Sequence, residues 1–126
     1  MKKQELIIEK ADVGYFARTL IEDNLIVEQG TSVEELAQLM KRLIKEFHQI
    51  DDIQFKIMYD LSALFENFNY LNISAVADLA GVNSSLLRQY VSGVKYPSSR
   101  QVKKIEDALH RIGNELKSIR IYNEAC

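Results

Sequence analysis

The sequence predicts an α+β fold in two parts: residues 1–69 mix strands and helices, and residues 70–126 are almost wholly helical. Three observations carry this. Ile53–Tyr59 alternates strictly, with Ile53, Phe55, Ile57 and Tyr59 on one side and Gln54 and Lys56 on the other, the pattern of a half-buried strand. The stretches 33–47 and 102–116 repeat apolar residues at spacings of three and four, the period of a helix with one buried face. Between Ile73 and Val91, two short helical patterns flank Gly81 with room for only a tight turn.

Taken in order, Glu5–Lys10 is the first expected strand, with Leu6, Ile7 and Ile8 at its centre. Ala11–Gly14 (ADVG) holds Asp and Gly, which tolerate turn geometry, and Tyr15–Leu20 resumes strand composition, so the pair reads as a hairpin. Asp23 and Asn24 break the next stretch, and Leu25–Glu28 is a third strand before Gly30. Thr31 or Ser32 then starts a helix, with Glu34 or Glu35 three residues on completing a capping box. Its apolar face comprises Val33, Leu36, Ala37, Met40, Leu43, Ile44 and Phe47. After the fourth strand, Asp60 can cap a short helix containing Leu61, Leu64 and Phe65. A three-stranded meander and a crossover helix would bury one sheet face beneath Met40, Leu43, Ile44 and Phe47.

In the second part, Ile73, Val76, Ala77 and Ala80 share one helical side, and Gly81 can take the left-handed conformation that turns the chain. Asn83 or Ser84 caps a second helix with Leu86, Leu87, Tyr90 and Val91 at its apolar positions. Ala77 is small where the helices cross, while Val82 and Leu87 point inward. Two helices joined this way make a helix-turn-helix, whose second helix enters the major groove of DNA. Gly93 ends that helix, and Pro97 stiffens the next connection. Ser98 or Ser99 then caps a long helix with Val102, Ile105, Leu109, Ile112 and Leu116 on one face. Ser118–Tyr122 (SIRIY) alternates and predicts a short C-terminal strand, added to the sheet or to a partner's.

The net charge of −2 hides a division. Residues 1–72 carry 8 Lys/Arg against 13 Asp/Glu, and residues 73–126 carry 8 against 5. An acidic half joined to a basic half is expected when one part meets phosphate and the other does not. No apolar run approaches the roughly 18 to 20 residues of a membrane span. Leu6–Ile8 is too short for the core of a signal peptide, and the single cysteine, Cys126, has no intrachain partner. These features predict a cytoplasmic protein without a membrane anchor.

The segment AGVNSSLLRQYVSGVKYPS resembles the helix-turn-helix of the phage-repressor (Cro/cI-like) group, with turn glycine, polar cap, recognition helix, glycine and proline in order. The longer stretch Ile73–Ile121, ending IEDALHRIGNELKSIRI, resembles the C-terminal domain of HicB-family antitoxins of the Bacteroides type. The strand, strand, strand, helix, strand order of the first half is similar to that family's partial RNase-H-like domain. Where the family has a Pro-Gly pair before the third strand, this chain reads IEDNLIVEQG. The resemblance implies a cytoplasmic homodimer that represses its own operon through the C-terminal domain. It also implies an N-terminal domain that masks a small RNA-cleaving toxin, although some relatives act as plain regulators.

Alignment to the phage-repressor pattern places Ser84, Ser85 and Gln89 on the groove-facing side, with Arg88 adjacent. Glutamine bonds adenine and arginine bonds guanine in bidentate fashion, and serine serves bases or phosphate. Lys95 and Arg100 are expected phosphate contacts, and Asn72 or Ser74 would present backbone N–H groups to a phosphate. Tyr90 is expected in the core. His48 and His110 have no Cys, Asp or His at ligand spacing, so no metal or other cofactor is expected. The carboxylates Glu5, Glu9, Asp12, Glu22, Asp23, Asp51 and Asp52 fall at turns and strand ends and read as solvated surface. RNase-H-type hydrolysis would need convergent carboxylates on the central strands, and IQFKIMY has none. The expectation is a non-enzymatic regulator of double-stranded DNA. The competing one is an interaction module whose acidic half neutralises a small basic protein.

Overall fold

A computed structural model describes residues 2–124; Cys126 lies outside the described residues. Among the described residues the architecture is α+β, with one four-stranded mixed sheet and five helices. The chain divides into two compact units, Met1–Asn69 and Tyr70–Cys126.

The first unit contains β1 (Lys2–Lys10), β2 (Tyr15–Ile21), β3 (Asn24–Gly30), α1 (Val33–His48), β4 (Ile53–Tyr59) and α2 (Leu61–Asn67). The sheet order is β3-β2-β1-β4, with β1 antiparallel to β2, β2 antiparallel to β3, and β4 parallel to β1. β1 starts earlier than the apolar pattern indicates. Its polar first residues pair with β4, Lys2 opposite Ile53 and Gln4 opposite Phe55. Gln4 is also held by its side chain, whose Nε2 donates to Thr19 Oγ1 at 2.8 Å. Thr19, the only buried polar residue among those described, donates in turn to the carbonyl of Glu5 at 2.7 Å.

The core lies between one sheet face and the helices α1 and α2. Leu6, Ile8, Tyr15 and Ala17 meet Val33, Leu36, Met40 and Ala63, and Ile21, Ile44 and Ile53 form a second cluster. Ser32 caps α1, accepting from the Glu35 amide at 3.3 Å, and Asp60 caps α2, accepting from the Ala63 amide at 2.7 Å. Phe47 departs from expectation. It shares the helical face of Met40 but is 67% exposed. Neighbouring His48 lies 3.8 Å from Glu22, in the β2–β3 turn.

Both hairpin turns depend on left-handed backbone. Gly14 has φ +75°, and a Cβ there would lie 2.2 Å from the carbonyl oxygen of Gly30. The β2–β3 turn is centred on Glu22 (φ 49°) and Asp23 (φ 66°), one residue earlier than the Asp23-Asn24 break suggests. Two successive positive φ values match the twist of a two-residue hairpin loop.

Burial raises the phenol pKa of Tyr15 above its ordinary value, and the charge of Glu66 adds to this. Burial also raises that of Tyr59, with the Asn67 amide acting in the opposite direction. In the unfolded chain these phenols ionise near the ordinary value of about 10, before the folded ones do. Their contribution is therefore whole below that pH and is lost as pH rises through the folded values. Urea melts at rising alkaline pH are expected to show a steepening loss of stability, and Tyr15→Phe should flatten it. An unchanged profile in the variant would refute this origin.

The second unit contains α3 (Ile73–Ala80), α4 (Ser84–Ser92) and α5 (Ser99–Lys117). Val76, Ala77, Val82, Leu87, Tyr90, Ile105 and Ala108 are its buried residues. Tyr90 thus occupies the core position expected of it. The ends of the long helix are less buried than its periodicity suggests, with Val102 and Leu116 exposed. The expected strand at 118–122 is absent: α5 ends in a turn at Ser118, and Ile119–Asn123 has no regular structure. A strand needs a neighbour for its backbone N–H and C=O groups. Every regular element described in this unit is a helix, so the alternating segment stays solvated, with Ile121 91% exposed.

Candidate nucleic-acid interface

The site is built on α4. The chain enters through Gly81 in the left-handed conformation (φ 71°), and the Val82 amide returns to the Ala77 carbonyl at 2.9 Å. Nothing lies within 4 Å of a Cβ built on Gly81, so backbone angle rather than room favours glycine there. Asn83 caps α4, its Oδ1 accepting from the Leu86 amide at 3.1 Å. The helix ends at Gly93 (φ 83°), where the amides of Val94 and Lys95 return to the Gln89 carbonyl at 3.0 and 3.3 Å.

Between these caps, Leu87 and Tyr90 turn inward. The opposite face presents Ser85, Arg88 and Ser92, all exposed, flanked by half-buried Ser84 and Gln89. The four helix residues expected from the sequence therefore share one polar surface. Ser92 was not among them. Its signal was available, since it lies seven residues after Ser85 and so two turns along the same stripe. Its hydroxyl donates to the Gln89 carbonyl at 3.1 Å.

Arg88 is exposed but not loose: its Nη2 donates to the Ser74 hydroxyl oxygen on the first turn of α3. Lys95, in the loop after α4, and Arg100, in the first turn of α5, are exposed, and neither is in an ion pair with a described residue. Farther along α5 the cations are partly neutralised, Lys103 by Asp107 at 2.9 Å and Arg111 by Glu115 at 3.1 Å. Lys95 before α5 and Arg100 at its start thus carry positive charge that no ion pair among the described residues offsets.

The helix starts add to this field. α3, α4 and α5 are capped by the neutral side chains of Asn72, Asn83 and Ser98, and none has an acidic residue in its first turn. In the other unit, α1 begins with Glu34 and Glu35, and α2 is capped by Asp60. Among the described helices, the partial positive charge of the N-terminus, about half an elementary charge, is therefore left without an acidic neighbour in the first turn or cap on α3, α4 and α5.

Among the described residues, no group of three His, Cys, Asp or Glu side chains could hold a metal ion, and no helix is long and apolar enough to cross a membrane. The acidic side chains of the first unit lie largely at its surface, where Glu9 accepts from Arg18 at 2.8 Å and Asp51 lies 3.5 Å from Lys45. No protein-family model matches the chain, and comparison with curated proteins and with solved structures finds no match.

Proposed function

We propose that this protein is a cytoplasmic DNA-binding transcriptional regulator, a HicB-like antitoxin that represses its own operon as a homodimer. The observation that carries the proposal is α4, a nine-residue helix capped at both ends, which turns a continuous polar stripe outward. A helix of roughly 10–12 Å diameter fits the roughly 12 Å width of the B-DNA major groove. On this reading α3, Gly81 and α4 are the helix-turn-helix, with Ser84, Ser85, Arg88 and Gln89 reading bases and Ser92 joining them. Lys95 and Arg100 contact phosphates and set register. The excess of basic residues in the second unit supplies the sequence-independent attraction.

The test is binding to the DNA upstream of its own gene, measured across a range of salt concentrations. Affinity should fall steeply with salt. Gln89→Ala should lose about 1–3 kcal/mol of discrimination at one base pair of each half-site. Lys95→Ala and Arg100→Ala should instead weaken all duplexes alike, each making the salt slope shallower by about 1. Salt-insensitive or absent binding by the wild-type protein refutes the proposal.

A second activity of the same chain is favoured by its other unit. The open face of the sheet exposes Phe16, Leu20, Leu25 and Val27, and residues 1–72 carry the acidic excess. These features suit a small basic protein partner such as an RNA-cleaving toxin, held without catalysis by this chain. Co-purification with the product of a neighbouring short gene is the expected result, and failure to associate removes this reading while leaving DNA binding intact.

A further inference from the structure

We infer that Ser74 is a positioning residue for Arg88, fixing the direction in which that arginine reads a base; this rests on the DNA-binding function proposed above. An exposed arginine has about 2 kcal/mol of rotamer entropy to lose when a partner immobilises it. Here the guanidinium is already tied, through Nη2, to the hydroxyl oxygen of Ser74 fourteen residues earlier in the chain. That oxygen is a fixed point. It sits on the first turn of α3, a helix that packs against α4, and Ala77 and Leu87 on the two helices are both fully buried.

The tether uses one of the five guanidinium N–H donors. Four remain, enough for the bidentate contact to guanine O6 and N7. Nothing in the spacing of residues 74 and 88 relates them, because they lie on different helices and meet only through the crossing of α3 and α4. Ser74 thus has a different task from the one its place near a helix start suggests. As a phosphate ligand it would strengthen binding to every sequence, but as the anchor of Arg88 it sharpens the preference at one base pair.

The experiment uses the full chain and duplexes enriched by the wild-type protein from a random-sequence pool, together with every single base-pair substitution of the best duplex. Arg88→Ala is expected to flatten the preference at one base pair in each half-site. Ser74→Ala should reduce that same preference about fivefold, the worth of one hydrogen bond, with other positions and the salt slope unchanged. Ser74→Thr, which keeps the hydroxyl, should retain it, and Ser74→Ala should add nothing to Arg88→Ala. Uniform weakening with a shallower salt slope would overturn the inference in favour of a phosphate contact. Equal losses from Ser74→Ala with and without Arg88 would overturn it as well.

Arginine side-chain NMR of the free protein separates this inference from the function it rests on. Restricted rotation of the Arg88 guanidinium in the wild type, released in Ser74→Ala, is the expected signature. An arginine equally mobile in both proteins overturns the tether even if DNA binds. A pool from which the wild type enriches nothing overturns the base-reading role, whatever the NMR result.

Discussion

Gly14→Ala is expected to destabilise the N-terminal unit by about 3–5 kcal/mol, a large fraction of what a domain of this size has. Two effects combine. Alanine at φ +75° costs about 1–2 kcal/mol through the clash of its Cβ with its own carbonyl. The larger effect is external, because the Cβ would lie 2.2 Å from the Gly30 carbonyl oxygen. That oxygen belongs to backbone at the end of β3, in register with Tyr15 at the start of β2, so neither side can withdraw without opening the strand pair. Chemical denaturation, followed by amide protection in β2 and β3, reads the loss. Gly81→Ala is the control, with similar backbone strain but open space around the new Cβ. It should cost only about 1–2 kcal/mol, and equal losses at the two sites would show that the close approach to Gly30 is unimportant.

Leu87→Ala is expected to cost about 2–5 kcal/mol and to abolish DNA binding together with the fold of the second unit. Leu87 is fully buried, on the inner face of the helix that carries Ser85 and Arg88 outward. A core drawn from three helices has little to collapse into the space that a lost isopropyl group would leave. Gln89→Ala, two residues on, should leave the melt unchanged while lowering sequence preference. Thermal melts and binding isotherms on the two variants therefore separate the inner and outer faces of one helix. A folded Leu87→Ala protein with wild-type affinity would contradict both the packing and the proposed use of α4.

The α+β class and most helix starts were legible in the sequence because they depend on local chemistry. A hydroxyl, carboxylate or amide before an apolar run announced Ser32, Asp60, Asn83 and Ser98, and the structure decides for Ser32 over Thr31, Asn83 over Ser84 and Ser98 over Ser99. The start of β1 was not legible, because Lys2, Lys3 and Gln4 join the sheet through backbone pairing with β4 rather than through apolar side chains. The segment 118–122 was misleading for the complementary reason: its alternation suits a strand, but pattern does not supply a ladder partner. Phe47 shows a similar limit, since periodicity gives the direction of a side chain and not whether anything lies beneath it. In the candidate site the polar stripe of α4 followed from helical spacing. The bond between Arg88 and Ser74 did not, because it depends on how two helices cross.

The neutral caps around the site imply a trade between robustness and affinity. Aspartate caps a helix about as well as asparagine and adds an attraction to the helix dipole of about 0.3–1 kcal/mol. Asn72→Asp and Asn83→Asp are thus simple routes to a more heat-resistant second unit, and a screen for thermostability alone would tend to select them. Each would add a negative charge to the unit that the proposed function brings against polyanionic DNA. Variants selected for tolerance to heat would then drift away from DNA, and variants selected for repression would hold these two positions uncharged.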